Sequence, residues 1–197
     1  VRFLDNVQTK TTLPVDKIDE MCKGLRRIGL GLFGFADLLA EMEIPYNSKE
    51  AEELANYLSW FISFFGWLES MVLADEKGIF PYYKEEEVDL KHLESVLNSK
   101  YNTNPVNMDE VRKHGMRNVA ITCLAPTGTT AILADRNGSI EPFFALAYKR
   151  NVTEGVGNTA KNYIIEINEI LMRKLSELDF DEETLESIKE KILKSGS

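Results

Sequence analysis

The chain has 197 residues, of which 44 % are hydrophobic and 28 % are charged, and its formal net charge is −9. This size and composition provide for one sizeable core and exclude disorder along the whole chain. The acidic balance comes without any compact cluster of lysines and arginines, which excludes a duplex-binding footprint, so no nucleic-acid partner is expected.

The cysteine content and the hydropathy pattern indicate the compartment. Two cysteines, Cys22 and Cys123, exclude a disulfide framework and fit a reducing, cytoplasmic environment. The most apolar stretch, 60–68, is too short and too interrupted to cross a bilayer, so no membrane partner is expected. The start at Val1, without a leader, and the end 194–197 fit either a trimmed start with a tag scar or a piece of a longer protein.

The first third of the chain predicts one short helix and one glycine-rich segment. Residues 14–24 are typical of a helix with acidic residues near its positive end. Residues 28–42 predict a second helix that contains Gly29, Gly31 and Gly34. Each glycine costs a helix about 1 kcal/mol relative to alanine, which close packing against another backbone would offset.

A long helix is predicted over 48–77, capped by Asn47 or Ser48 and ended by Gly78. It carries two apolar stripes, and a helix that is apolar on most sides is normally buried. A chain of 197 residues cannot cover such a helix by itself. We therefore expect self-association through a sheet edge or through the more aromatic stripe, which consists of Tyr57, Trp60, Phe64, Trp67 and Met71.

The rest of the chain predicts alternating helices and strands. Helices are expected over 90–98 and 108–114, the second closed by Gly115, and amphipathic helices over 161–178 and 182–193. Short apolar runs predict a buried strand at 119–125 and a second strand at 143–148. The chain is therefore expected to be a helix-rich α/β domain, 1–197, with its sheet buried on both faces. Helical regions at 15–115 and 161–194 would flank a central region at 119–150.

The central region contains the segment richest in chemistry. The predicted strand runs into Pro126, Thr127, Gly128, Thr129 and Thr130, and a short helix is expected to follow at 132–134. Gly128 would let backbone amides approach a ligand, and the threonines supply hydroxyl groups. Unpaired amides at the start of a helix attract phosphate, although the same pattern also fits an ordinary connection.

Several segments, taken together and in this order, resemble the catalytic barrel of the large subunit of ribonucleotide reductase. The Pro-Thr-Gly-Thr form of the loop resembles the adenosylcobalamin-dependent branch, class II. The resemblance covers roughly residues 1–170. The segments that carry it are Val1-Arg2-Phe3-Leu4-Asp5-Asn6-Val7, Arg26-Arg27-Ile28-Gly29-Leu30-Gly31, Gly34-Phe35-Ala36-Asp37-Leu38-Leu39, Arg117-Asn118, the 126–130 loop, Ile140-Glu141-Pro142 and Tyr148-Lys149-Arg150.

The resemblance implies that this chain is part of the second half of a ten-stranded α/β barrel. It also implies that residues 126–130 hold the phosphates of a ribonucleoside di- or triphosphate, with Glu141 as a possible support. The family reaction reduces a ribonucleotide to a 2′-deoxyribonucleotide. A thiyl radical, generated with adenosylcobalamin, takes the 3′ hydrogen, water leaves from C2′, and two cysteines supply the electrons. Nucleotide effectors are implied for the parent enzyme.

The chain also departs from the family pattern. The order Asn137-Gly138-Ser139-Ile140-Glu141 displaces the usual glycine by one position. The finger-loop motif with the radical cysteine is expected upstream of Val1, so this chain holds no catalytic residue and is predicted to be inactive alone. Two alternatives remain: a non-enzymatic nucleotide-binding or assembly domain, and a class I large subunit that works with a radical-generating partner.

The remaining polar candidates have simple structural interpretations. A lone Glu141 is expected to hydrogen-bond local backbone, and Cys123 to be a small buried hydrophobe, as is Cys22. Metal-ligand spacing is lacking around His92 and His114, which are expected on the surface, so no metal site is predicted. The helix dipole explains Arg26 and Arg27, although they could also contact phosphate.

Overall fold

The computed structural model describes residues 1–88, 90–152, 162–178 and 180–195. Helices dominate this part of the chain, as predicted. The helices are α1 (Arg2–Lys10), α2 (Asp16–Leu25), α3 (Phe35–Glu41), α4 (Lys49–Lys77), α5 (Leu90–Leu97), α6 (Met108–His114), α7 (Gly128–Leu133), α8 (Glu169–Ser176) and α9 (Glu182–Ser195). The strands are β1 (Ala147–Val152) and β2 (Asn162–Ile167), and a short 3₁₀ helix spans Glu85–Glu87.

The long helix α4 forms as the sequence predicts. The Ser48 hydroxyl accepts a hydrogen bond from the Ala51 amide at 3.1 Å, and the helix ends at Gly78, whose φ is +86°. By length and composition alone α4 could cross a membrane, with a mean hydropathy of 1.3 over its most apolar window. A core helix has the same composition.

Most of the more aromatic stripe of α4, which was expected to face water, faces the protein, and Tyr57 is its exposed member. The Trp60 indole donates to the Val96 carbonyl of α5 at 3.1 Å, and its ring lies 5.2 Å from that of Tyr101. Trp67 is only 8 % exposed and belongs to the main core. The aromatic residues of α4 that remain exposed are Tyr57, Phe61 and Phe65.

The glycine-rich segment is extended where a helix was predicted. Helix α3 begins only at Phe35, and a parallel bridge joins Leu30 to Thr122. The Leu30 amide donates to the Ile121 carbonyl at 2.7 Å, and the Cys123 amide donates to the Leu30 carbonyl at 3.0 Å. A Cβ added at Gly31 would lie 2.2 Å from the Cys123 carbonyl oxygen. The expected close approach of two backbones is therefore present, but between extended segments.

The buried strand predicted at 119–125 is present only as this one bridge. Ile121 is buried, whereas residues 122–125 are exposed. Cys123 is accordingly exposed, and the prediction that it is a buried hydrophobe is wrong, while Cys22 is partly buried. The physical reason is that no second neighbour strand covers this segment in the described residues.

The C-terminal part differs most from the sequence prediction. The second strand spans Ala147–Val152 instead of 143–148, and it pairs with Asn162–Ile167 in an antiparallel ladder. The helix predicted at 161–178 is therefore a strand followed by a shorter helix, Glu169–Ser176, and residue 161 lies outside the described residues. The helix predicted at 182–193 is present as α9.

Two hydrophobic cores lie in the described part of the chain. The larger joins α4, α5, α6 and the bridge segments around Trp67, Leu93, Leu97 and Ile121. The smaller packs Phe35 and Leu39 of α3 against Ala51. The described residues contain a two-stranded sheet and one parallel bridge, which is less strand structure than the ten-stranded barrel implied by the resemblance.

Candidate functional site

The 126–130 loop leads directly into helix α7, which begins at Gly128, four residues earlier than predicted. Thr127 precedes the helix with a φ of +53°, in the left-handed region that β-branched residues rarely adopt. The Thr127 carbonyl accepts the Ala131 amide at 2.8 Å, which closes the first turn of the helix.

The role predicted for Gly128, which is to let a ligand approach the backbone amides, stays a prediction, and the structure shows the backbone and the space around this residue. Gly128 does not have a positive φ, and nothing lies within 4 Å of a Cβ built on it. The left-handed conformation belongs to Thr127 instead. Gly128 is exposed, and because it has no side chain, the space beside its backbone is open. A ligand can therefore approach the backbone closely.

The amides of Gly128, Thr129 and Thr130 have no acceptor within the described part of the chain. All three residues are exposed, as are the Thr129 and Thr130 side chains. Free amides at the first turn of a helix, together with hydroxyl donors, can hold an anion such as a phosphate group.

A second turn, 137–141, holds the loop from behind. The Ser139 amide donates to Thr127 Oγ1 at 2.8 Å. A Cβ added at Gly138 would lie 2.9 Å from the Pro126 carbonyl oxygen, so the two backbones touch. Ser139 is buried and itself has a φ of +47°. This second turn contains the displaced glycine noted in the sequence.

A cleft of about 340 Å³ lies between the loop, α3 and the start of α8. Among the described residues, four carboxylates line it against a single guanidinium, that of Arg136. This electrostatic balance disfavours an anion deep in the cleft, so a phosphate would sit at the exposed amides. The carboxylates are those of Asp37, Asp135, Glu141 and Glu169.

Glu141 lies at the edge of this cleft, but not in the role expected. Its side chain is exposed, and its carboxylate accepts no hydrogen bond from the described residues. Only its backbone takes part in the local turn, where the Glu141 amide donates to the Gly138 carbonyl at 3.1 Å. The carboxylate is therefore available to a ligand.

A charged cluster that sequence reasoning missed lies away from the loop. Asp5 is fully buried, and its carboxylate accepts from Arg26 Nη2 at 2.6 Å and from Arg26 Nε at 3.0 Å. Lys77 Nζ lies 3.3 Å from Asp5 Oδ2, and Arg117 Nε lies 3.4 Å from Asp5 Oδ1. Arg26 does lie at the C-terminal cap of α2, but its side chain is buried against Asp5, a contact that the helix-dipole interpretation did not include.

Burial by itself raises the pKa of the Asp5 carboxyl, but the hydrogen bond and charge of Arg26, with help from Arg117 and Lys77, hold that pKa below its usual value. Burial and the Arg26 charge lower the pKa of Arg117. Three of the segments that carry the resemblance therefore meet in a structural ion-pair cluster. In the sequence, this cluster could have been suspected only from Asp5 in the first segment and from the arginines of two distant segments, 26–31 and 117–118.

The remaining predicted residues are placed as follows. His92 and His114 are exposed, as expected. Residues 148–150 lie on β1. Among the described residues, no group of three or more His, Cys, Asp or Glu side chains could hold a metal ion.

Comparison with known proteins extends over almost the whole chain. The family described as ribonucleotide reductase, barrel domain, matches residues 1–196. A vitamin B12-dependent ribonucleoside-diphosphate reductase of Thermoplasma acidophilum is 35 % identical over 190 residues, 96 % of this chain and 21 % of that protein. A Mycobacterium tuberculosis protein with the same description is 35 % identical over 152 residues, 77 % of this chain and 19 % of that protein.

A third relative has a different description. The ribonucleoside-diphosphate reductase subunit alpha of Chlamydia pneumoniae is 30 % identical over 207 aligned residues, which cover 96 % of this chain and 19 % of that protein. The chain thus spans about a fifth of the length of these relatives. The family match covers the bridge segments, the 126–130 loop and the paired strands β1 and β2, so the chain belongs to the ribonucleotide reductase barrel-domain family.

Proposed function

We propose that the complete protein carrying this chain is a ribonucleotide reductase, and that this chain supplies the loop that holds the substrate phosphates. The observation that carries the proposal is the set of free, exposed amides at 128–130, at the start of α7, within a chain of this family. The substrate would be a ribonucleoside di- or triphosphate.

The described residues support a role in binding and orientation. The three amides, with the Thr129 and Thr130 hydroxyls, would donate to phosphate oxygens, while Pro126 and Thr127 fix the direction of the chain. Holding the phosphates in one place sets the position of the attached ribose, which is how a binding loop contributes to rate. Glu141, whose exposed side chain lines the cleft, would accept a hydrogen bond from a substrate hydroxyl or from water.

The cofactor that we propose for the complete protein is adenosylcobalamin, because the T. acidophilum and M. tuberculosis relatives are described as vitamin B12-dependent. The described residues do not make a site for that group. Among the described residues, no histidine lines the acidic cleft beside the loop, and a cleft of about 490 Å³ beside α4 is lined mainly by small and apolar side chains. The contribution of the described residues is therefore to bind and orient the substrate.

The deciding experiment uses the complete protein, a ribonucleoside diphosphate and a dithiol, with and without adenosylcobalamin. We expect 2′-deoxynucleotide only when adenosylcobalamin is present. Product that needs a second subunit instead would favour the class I alternative, to which the Chlamydia description as subunit alpha points. Nucleotide binding without any reduction would favour a non-enzymatic nucleotide-binding or assembly domain.

Three further expectations stay predictions. The 197-residue chain alone is expected to be inactive, since Cys22 and Cys123 are both free and cannot supply a radical site as well as a reducing pair. Deoxynucleotide formation by the purified chain would contradict this. Nucleotide effectors and a cytoplasmic location are proposed for the complete protein.

A further inference from the structure

A buried carboxylate on α3 reaches the turn behind the phosphate loop. Asp37 is 8 % exposed, and its Oδ2 accepts a hydrogen bond from the Asn137 amide at 2.6 Å. On the other side of the same residue, the Asn137 carbonyl accepts the Gly34 amide at 2.8 Å. Residue 137 is thus held at both its amide and its carbonyl by the start of α3.

The 137–141 turn holds the 126–130 loop in place. The Ser139 amide donates to Thr127 Oγ1 at 2.8 Å, and Gly138 lies against the Pro126 carbonyl. Thr127 and Ser139 both have left-handed backbone conformations that their side chains disfavour. Residues persist in such conformations only where the surroundings enforce them, and here the enforcing contacts are these hydrogen bonds.

We propose that Asp37 and Thr127 are positioning residues for the phosphate loop: Asp37 fixes the 137–141 turn, the turn fixes the Thr127 side chain, and Thr127 aims the amides of 128–130. The inference rests on the proposed function. In this proposal the Thr127 hydroxyl oxygen accepts a hydrogen bond from the protein's own Ser139 amide, whereas the sequence suggested only that the hydroxyl donates to phosphate. A carboxylate in the first turn of α3 also interacts favourably with the helix dipole. That interaction does not require the observed contact with residue 137.

The test compares variants that separate the hydrogen bond from the charge. Asp37→Ala removes the acceptor, whereas Asp37→Asn removes the charge and keeps an oxygen that can accept from the Asn137 amide. Asp135→Asn is the matched control, since Asp135 lies on the same cleft, is exposed, and has no side-chain partner among the described residues. Thr127→Val and Thr127→Ser form a second pair, without and with the hydroxyl.

Two measurements are made on each variant. Hydrogen exchange of the Asn137 and Ser139 amides, without nucleotide, should quicken about tenfold or more in Asp37→Ala and change little in Asp37→Asn and Asp135→Asn. In the complete protein, the KM for a ribonucleoside diphosphate should rise about tenfold in Asp37→Ala and Thr127→Val, with a smaller change in kcat, and Thr127→Ser should restore it.

The outcomes separate the inference from the function. Unchanged exchange in Asp37→Ala, or equal defects in Asp37→Asn and Asp37→Ala, would overturn the role of Asp37 as hydrogen-bond acceptor. Faster exchange with an unchanged KM would overturn the positioning role. If Asp37→Ala fails to fold, the Asp37→Asn and Thr127 variants decide the question. Failure of the unsubstituted protein to bind any ribonucleotide would refute the proposed function. The hydrogen-exchange measurement would still test whether Asp37 fixes the 137–141 turn.

Discussion

At the scale of single residues, the cluster around Asp5 is the most charged part of the interior. One carboxylate, fully buried, faces the side chains of Arg26, Arg117 and Lys77. Asn118 adds a neutral contact, its Nδ2 lying 3.4 Å from Asp5 Oδ1. The cations outnumber the carboxylate, so the cluster depends on Asp5 staying ionised.

Asp5→Asn should therefore destabilise the chain severely. The substitution keeps the shape of the side chain but leaves the buried Arg26 guanidinium without a counter-charge, which costs about 3 kcal/mol or more. Urea denaturation, followed by circular dichroism, measures the loss. Asp109→Asn, on the exposed face of α6, is a control for a change of one charge, and a similar effect in both variants would contradict the prediction.

The same carboxylate gives the stability a pH dependence. The folded-state pKa of Asp5 is below its unfolded value, so its contribution is fully present above the unfolded pKa of about 3.9 and is lost as the pH falls through the folded pKa. Between neutral pH and pH ~3 the free energy of unfolding should fall less steeply in Asp5→Asn than in the unsubstituted chain.

Gly128→Ala separates folding from ligand binding. Because nothing lies within 4 Å of the added Cβ and φ is not positive, the free energy of unfolding should stay within about 0.5 kcal/mol. In the complete protein the KM for the nucleotide should rise, since the methyl group stands where the ligand approaches. An unchanged KM would show that the loop is only a connection. Thr129→Ala, which removes one hydroxyl donor, should cost binding about 1 kcal/mol.

At the scale of elements, residues 28–30 pair closely with residues 120–123. Gly31, next to this pairing, has no room for a side chain, whereas Gly128 does. A Cβ at Gly31 would lie 2.2 Å from the Cys123 carbonyl oxygen, so Gly31→Ala must push the two segments apart. We expect a loss of about 1–3 kcal/mol in the free energy of unfolding. Denaturation midpoints of the two glycine variants, measured side by side, test this, and equal midpoints would contradict it.

Elements whose signals are local could be predicted, and those set by distant partners could not. The cap at Ser48, the long apolar pattern and Gly78 define α4 within the sequence itself. The segment 163–167 is short and contains three isoleucines, a pattern that fits helix or strand, and pairing with β1 decides between the two. The bridge at Leu30 is hidden for the same reason, because its partner lies far along the chain.

The candidate site shows the same division. The position of the loop and its exposed amides follow from the order of strand, proline, glycine and threonines. The left-handed residue could not be predicted, because the hydrogen bond from the Ser139 amide makes Thr127 adopt a conformation that its own side chain disfavours. The contribution of Asp37 depends on a contact across 100 residues, which spacing does not reveal.

At the scale of the whole molecule, large apolar side chains are exposed on several elements, and α4 and the neighbourhood of the 126–130 loop are two of these places. Tyr57, Phe61 and Phe65 form an exposed ridge on α4, with the rings of Phe61 and Phe65 4.7 Å apart. Near the phosphate loop, Leu133 is 86 % exposed and Phe144 is fully exposed. Exposed apolar surface of this kind favours association with another protein surface.

The isolated chain is therefore still predicted to self-associate, but through the exposed ridge and not through Trp60 and Trp67. Sedimentation velocity across micromolar concentrations should show a concentration-dependent species. The double variant Phe61→Ser, Phe65→Ser should weaken it, because these side chains are exposed in the monomer. A monomer at every concentration would contradict the prediction. Phe144→Ser is the matched control at the other surface.

The long-range contacts of Asn118 and Leu30 also set the order of events in folding. Asn118 donates to the Arg26 carbonyl across 92 residues of chain, next to the Leu30–Thr122 bridge. Closing so large a loop carries an entropic cost, whereas helix α4 needs only neighbours in sequence. During refolding, helical signal should thus recover before residues 126–130 acquire their native geometry, so the proposed phosphate loop is expected to form late.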